Sequence, residues 1–101
     1  MPNKQFLLYG ANGYTGVLIA KLAAAYGLQP ILAGRNEEAI RSLATELQLP
    51  YRIVDLADTK ALHSILSECS LVLHAAGPFQ ITARPMIEAC IATHTHYLDI
   101  T

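Results

Sequence analysis

Short apolar runs and longer segments of helical spacing alternate along this chain from its first residues to its last. Gln5 to Tyr9 reads as a first strand, and Tyr14 to Tyr26 as a helix that Gly27 ends. Pro30 to Ala33 gives a second strand. Asn36 has the character of an N-cap, with Glu37 and Glu38 in the first turn, where carboxylates favour the helix dipole. Ile40, Leu43, Ala44 and Leu47 then form one apolar face. Tyr51 to Val54 is a third strand, and Asp58 or Thr59 caps a third helix with Leu62, Ile65, Leu66 and Cys69 on its inner stripe. Leu71 to His74 is a fourth strand. The fourth helix runs from about Thr82 to Thr93, with Pro85 in its first turn, where the missing N–H costs little. Ile87, Cys90, Ile91 and His94 fall on one side of it, and Tyr97 to Ile100 completes the series as a fifth strand.

Strands that alternate with helices in this way predict an α/β fold. The expected form is an open, doubly wound parallel sheet with right-handed crossovers and strand order 3-2-1-4-5. A ligand crevice then lies where the order reverses, between strands one and four. The 101 residues suffice for one domain, 1–101, with no linker or repeat. The chain stops directly after the fifth strand, so the expectation is a portion of a larger two-domain protein, truncated before its substrate domain.

Composition sharpens this picture. Hydrophobic residues make up 52% and charged ones 15%, which excludes disorder and suits a sheet covered on both faces. A net charge of −1 without a basic tract gives nucleic-acid binding no electrostatic support. There is no signal-peptide pattern and no apolar run long enough to span a bilayer, so a cytoplasmic protein with no membrane partner is expected. Cys69 and Cys90 read as buried reduced thiols and not as a disulfide framework.

The chemistry concentrates in the loops. Gly10, Gly13 and Gly16 are spaced three apart at the junction of the first strand and first helix. Such a turn brings backbone N–H groups and a helix N-terminus to a pyrophosphate, with Asn12, Tyr14 and Thr15 beside it. The second strand ends Gly34-Arg35-Asn36, with glycine where NAD-preferring domains carry an acidic residue. A carboxylate there would repel a 2′-phosphate, whereas the Arg35 guanidinium holds one, so NADP(H) is expected over NAD(H). The alternative is a solvated arginine that begins a helix.

Other positions carry two readings each. Asp55 sits either at the adenine edge or in a turn before Asp58. The small residues Ala75, Ala76 and Gly77, followed by Pro78, would let a cofactor pass close to backbone; Phe79 packs near a nicotinamide or in the core. His94 and His96 lack the further ligands of a zinc site, so no metal is expected. His63 and His74 read as a surface and a strand residue. Asp99 is a candidate catalytic group at the crevice or a terminal cap.

Four segments occur in order: Leu8 to Gly16, Leu32 to Asn36, Ala75 to Phe79 and Tyr97 to Thr101. Together they resemble the N-terminal NADP-binding, Rossmann-type domain of the saccharopine dehydrogenase family, in its saccharopine dehydrogenase-like and trans-acting enoyl reductase branch. Asn12 stands where threonine is common in that branch. The resemblance implies an NADP(H)-dependent oxidoreductase in which Gly10, Gly13, Gly16, Arg35 and Gly77 contact cofactor. It matches Asp99 to a Tyr-Leu-Asp segment near the active site. It also implies a second domain that binds the small-molecule substrate, supplies catalytic groups and often mediates dimerisation, in a family acting on amino-acid adducts or on enoyl thioesters and lipids. By itself the chain is then expected to bind NADP(H) weakly without turnover. It is also expected to self-associate, as a homodimer, through apolar surface at the fifth strand or the crevice. Two alternatives are an NADP(H)-sensing regulator of the NmrA type and a short-chain dehydrogenase fragment.

Overall fold

The computed structural model describes residues 5–100. The elements are β1 (Phe6–Tyr9), α1 (Tyr14–Ala25), β2 (Ile31–Gly34), α2 (Glu37–Leu47), β3 (Tyr51–Ile53), α3 (Thr59–Leu66), β4 (Leu71–His74), α4 (Phe79–Thr93) and β5 (His96–Asp99). The strands form a five-stranded sheet of order β3-β2-β1-β4-β5, parallel at every pairing, as the alternating pattern predicts.

Consecutive strand residues point to opposite faces. Leu7 and Tyr9 therefore enter one core with Ile31, Ala33 and Val72, under Leu62, Ile65 and Leu66 of α3 and Met86, Ala89 and Cys90 of α4. Leu8 and Leu32 enter the other, under Ala20 of α1 and Ile40, Leu43 and Ala44 of α2. Both faces are covered, which explains why the central strands read as unbroken apolar runs. The caps form as expected: Asn36 Oδ1 accepts from the Ala39 N–H at 3.0 Å, and Asp58 Oδ1 from the Ala61 N–H at 3.1 Å.

Two expectations about α4 fail. The helix starts at Phe79, capped by Pro78 in extended conformation, and not near Thr82. Pro85 is therefore inside the helix, not in its first turn. The early start is fixed by a tertiary contact: the Phe79 ring meets the His74 ring edge-on at 5.3 Å between centroids. The buried face is Met86, Ala89 and Cys90, while Ile87 and Ile91 are exposed. That inner face continues to Thr93, which is half-buried and bonded to Thr95, and His94 terminates the helix in a left-handed conformation, φ 58°. The third helix likewise ends before Cys69, which is half-buried where a buried thiol was expected; Cys90 is buried.

No helix among the described residues is long and apolar enough to cross a membrane. Large apolar side chains are exposed on β5 and just beyond it, at Leu98 and Ile100. A second, unforeseen set lies along α1 and its C-cap, where Tyr14, Leu18, Leu22 and Tyr26 recur at four-residue intervals on one outward ridge.

Candidate functional site

A cleft of about 760 Å³ opens over the C-terminal ends of the strands, where ligands bind in sheets that reverse their winding direction. Its wall draws on four loops. Gly10 and Asn12 come from the turn after β1, Arg35 and Asn36 from the end of β2, Asp55 from the segment after β3, and Ala76, Gly77 and Pro78 from the turn after β4. Gly13, Tyr14, Thr15 and Gly16 do not line it. Gly13 caps α1 without a side-chain hydrogen bond, Tyr14 and Thr15 are exposed in the first turn, and Gly16 is buried below the loop.

The glycine turn is shaped by backbone packing. Gly10 has φ +84°, and a Cβ there would lie 2.7 Å from the Ala76 nitrogen. The turn after β1 and the turn after β4 therefore touch through bare backbone. A Cβ on Gly16 would overlap the Gly10 carbonyl oxygen and Ala11, so α1 packs on the turn only because that position is glycine. The Gly10 and Ala11 N–H groups both donate to the Ala33 carbonyl, at 2.8 and 3.2 Å, which ties the turn to β2. The first-turn N–H groups of α1 have no side-chain cap and form an open anion-binding end.

Arg35 stands out electrostatically. Arg41 pairs with Glu37 at 3.2 Å, Arg52 with Glu68 at 3.2 Å and Arg84 with Glu88 at 3.1 Å. The Arg35 guanidinium is exposed on the cleft wall and has no salt bridge or hydrogen bond among the described residues. Asn12 and Gly34 adjoin it: a Cβ on Gly34 would lie 3.2 Å from Asn12 Oδ1. Asn36 spends its Oδ1 on the helix cap and also lines the cleft. Asp55 takes part in a turn, with Oδ1 accepting from the Ala57 N–H at 2.9 Å, and lines the cleft as well.

Tyr9, Leu56, Ala57, Ile81, Thr82 and Pro85 also line the cleft, although none was singled out as a ligand contact from the sequence. Ile81, Thr82 and Pro85 reach the wall because α4 begins a turn early. The Tyr9 phenol is pushed up to about 12, mainly by burial and further by the Asp55 charge, with Arg35 opposing, so it stays protonated as a donor.

Behind the wall lies a cluster that the sequence did not announce. His74 is fully buried at the end of β4, ringed by Tyr9, Phe79 and Tyr97. Asp99 lies beside it in register on β5, outside the cleft wall, and accepts from the Tyr97 O–H at 2.8 Å. Burial lowers the His74 pKa, with the Asp99 charge opposing. Among the described residues, no group of three or more His, Cys, Asp or Glu is placed to hold a metal ion.

The family model for the saccharopine dehydrogenase NADP binding domain matches residues 6–101. The chain belongs to that family. Its cofactor is accordingly NADP(H). A trans-acting enoyl reductase of Mycobacterium leprae is 32% identical over 110 residues, which covers 99% of this chain and 26% of that protein. A probable mitochondrial saccharopine dehydrogenase-like oxidoreductase of Arabidopsis thaliana is 28% identical over 116 residues, covering 99% and 26%. Among solved structures, apo saccharopine dehydrogenase (L-Glu forming) from Saccharomyces cerevisiae superposes with a TM-score of 0.84 at 21% identity, covering 96% of this chain and 21% of that one. That last likeness speaks to fold alone. The NADP-binding domain spans about a quarter of the length of the curated relatives it matches.

Proposed function

We propose that this NADP-binding domain serves an NADP(H)-dependent oxidoreductase of the saccharopine dehydrogenase-like type. On this reading the 101-residue chain holds the cofactor without completing substrate reduction by itself. The observation that carries the finer reading is the Arg35 guanidinium, unpaired among the described residues, on the same wall as the glycine turn. Three other arginines are each satisfied by a glutamate, so a free one in a cleft is a charge that awaits an anion.

The residues fit the cofactor. Arg35, with Asn36 and Asn12 adjoining, would hold the adenosine 2′-phosphate, and the Gly10 to Asn12 turn that leads into the N-terminus of α1 would hold the pyrophosphate. Asp55, on the same wall, would accept from the adenine amine. Gly77 leaves space: a Cβ there would meet nothing within 4 Å, which admits a ribose close to the backbone. When bound, the cofactor supplies the hydride; this chain positions it and keeps its phosphates in place. The names of the mycobacterial and plant relatives, a reductase and an oxidoreductase, support redox chemistry as the reaction class of the whole protein.

The test is titration of the chain with NADPH and NADH, followed by fluorescence and calorimetry. Binding of NADPH about tenfold to a hundredfold tighter than NADH is expected, since a charge-assisted bond contributes about 1.5–3 kcal/mol. Arg35→Glu should erase that preference. Equal affinities in the wild-type chain, or no binding at millimolar NADPH, would overturn the reading.

A further inference from the structure

We propose that His74 is a positioning residue for the cofactor: acting through Thr82, it holds the Ala76–Gly77–Pro78 wall of the cleft at its working distance from the glycine turn. The inference rests on the cofactor reading above and assigns a role to a residue that touches no ligand.

The direction of the relay follows from proton counting. Thr82 Oγ1 lies 2.6 Å from the Ala76 carbonyl oxygen, 3.2 Å from the Pro78 carbonyl oxygen and 2.9 Å from His74 Nε2. A hydroxyl carries one proton. Two oxygens 2.6 Å apart need that proton between them, so Thr82 donates to Ala76. Oγ1 then accepts from Nε2–H, and His74 is the neutral Nε2–H tautomer. Its Nδ1 becomes a bare acceptor, and this atom is buried with no hydrogen-bond partner among the described residues. That orphan is otherwise unexplained in a fully buried ring.

The relay ends where the cleft is made. Ala76 is the residue whose backbone nitrogen a Gly10 Cβ would crowd at 2.7 Å, so a shift of Ala76 changes how the turns after β1 and β4 pack where they meet in the cleft wall. A Cβ on Gly77 would meet nothing within 4 Å among the described residues. His74 is braced on every side. Tyr9 from β1, Phe79 from α4 and Tyr97 from β5 surround the ring, with Asp99 as the carboxylate beside it. A rigid buried donor thus adds a side-chain anchor to a wall otherwise held through backbone, with the Ile81 and Thr82 N–H groups both on the Pro78 carbonyl at 3.1 Å.

Thr82 itself lines the cleft, so substitution there would confuse direct contact with positioning. His74 does not line it, and its variants separate the two. Gln places an amide N–H close to where imidazole Nε2 stands, Asn places one only near Nδ1, and Leu places none. NADPH dissociation constants are expected to rise roughly two- to tenfold in His74→Leu and His74→Asn, the range for one lost hydrogen bond. His74→Gln should return toward wild type. Wild-type affinity in a folded His74→Leu overturns the proposal, as does failure of Gln to outperform Asn.

A second measurement needs neither variant nor cofactor. Nitrogen NMR of the histidine ring in the wild-type chain should show a protonated Nε2 and a bare Nδ1; the opposite tautomer overturns the relay. If the wild-type chain takes up no NADPH, the cofactor reading fails and the positioning role falls with it. The tautomer, read separately, identifies that failure as one of ligand and not of geometry.

Discussion

Tyr9 on β1 donates its phenol O–H to the Val54 carbonyl at 2.9 Å, two strands away across the floor of the cleft. The bond pins the end of β3, and with it the turn that carries Asp55, to the central strand. Tyr9→Phe keeps the ring in the core and removes only the donor, leaving a buried carbonyl without this partner. A loss of about 1 kcal/mol is expected, which for a chain of this size lowers Tm by about 4–8 °C in a thermal melt. An unchanged Tm would mean that the carbonyl finds water at no cost.

The contact between the turns after β1 and β4 predicts unequal tolerance of alanine at two glycines on the same wall. Gly10→Ala forces a left-handed residue and drives a Cβ into Ala76 backbone. It should cost more than about 1 kcal/mol, because both strain and steric displacement act. Gly77→Ala meets open space and should fold like the wild type. Its methyl group protrudes where the cofactor is proposed to pass, so NADPH affinity should fall while denaturant midpoints hold. A Gly10→Ala chain as stable as the wild type would contradict the close packing.

Local signals made much of this architecture legible. Leu7-Leu8-Tyr9 states a strand covered on both faces, and Asn36 and Asp58 state their own helix starts, because a cap reads only its next few residues. Tertiary contacts were not legible. Phe79 begins α4 because it docks on His74, a partner on another element, and the misplaced start hid Ile81 and Thr82 from the cleft wall. Spacing alone grouped Ile87, Cys90, Ile91 and His94 on one side, whereas the core takes Met86, Ala89 and Cys90 and leaves Ile87 and Ile91 exposed. That Gly10, Asn12, Arg35, Asn36, Asp55, Ala76, Gly77 and Pro78 share one cleft was readable, since each sits in a loop at the end of a strand. The supporting part, Tyr9 to Val54 and His74 to Thr82, was silent because each bond joins two elements.

Stability should fall toward both ends of the pH range, with a different residue type responsible at each. Burial lowers the His74 pKa in the folded chain, so on acidification the unfolded chain takes up a proton first. Its contribution is complete above the ordinary histidine value, near 6.5, and declines as pH falls below it. At the alkaline end, burial pushes Cys90 up to about 11 and Tyr9 to about 12. Cys69 also rises to about 11, from burial and the Glu68 charge with Arg52 opposing. These groups keep their protons when folded, so stability is full below the ordinary thiol value of 9.0 and declines as pH rises from there. Urea midpoints measured across pH should trace a dome. Native Cys90 should also resist iodoacetamide at pH 8 and react fully on unfolding, and rapid native alkylation would refute its burial.

His94 offers a route to a more stable domain. It terminates α4 at φ 58°, a left-handed conformation that side chains disfavour, while the Thr95 N–H bonds back to the Cys90 carbonyl at 2.9 Å to close the helix end. The imidazole is exposed and enters no side-chain bond among the described residues, so its removal sacrifices little. His94→Gly relieves the left-handed strain, worth about 1–2 kcal/mol, and restores part of it as entropy in the more flexible unfolded chain. The balance should be a gain of about 0.5–1 kcal/mol, seen as a rise in Tm of several degrees. Gln48, which ends α2 at φ 57°, should respond in the same sense, and the two gains should add because the helices lie on opposite faces of the sheet. Destabilisation by both substitutions would show that the left-handed caps are not strained.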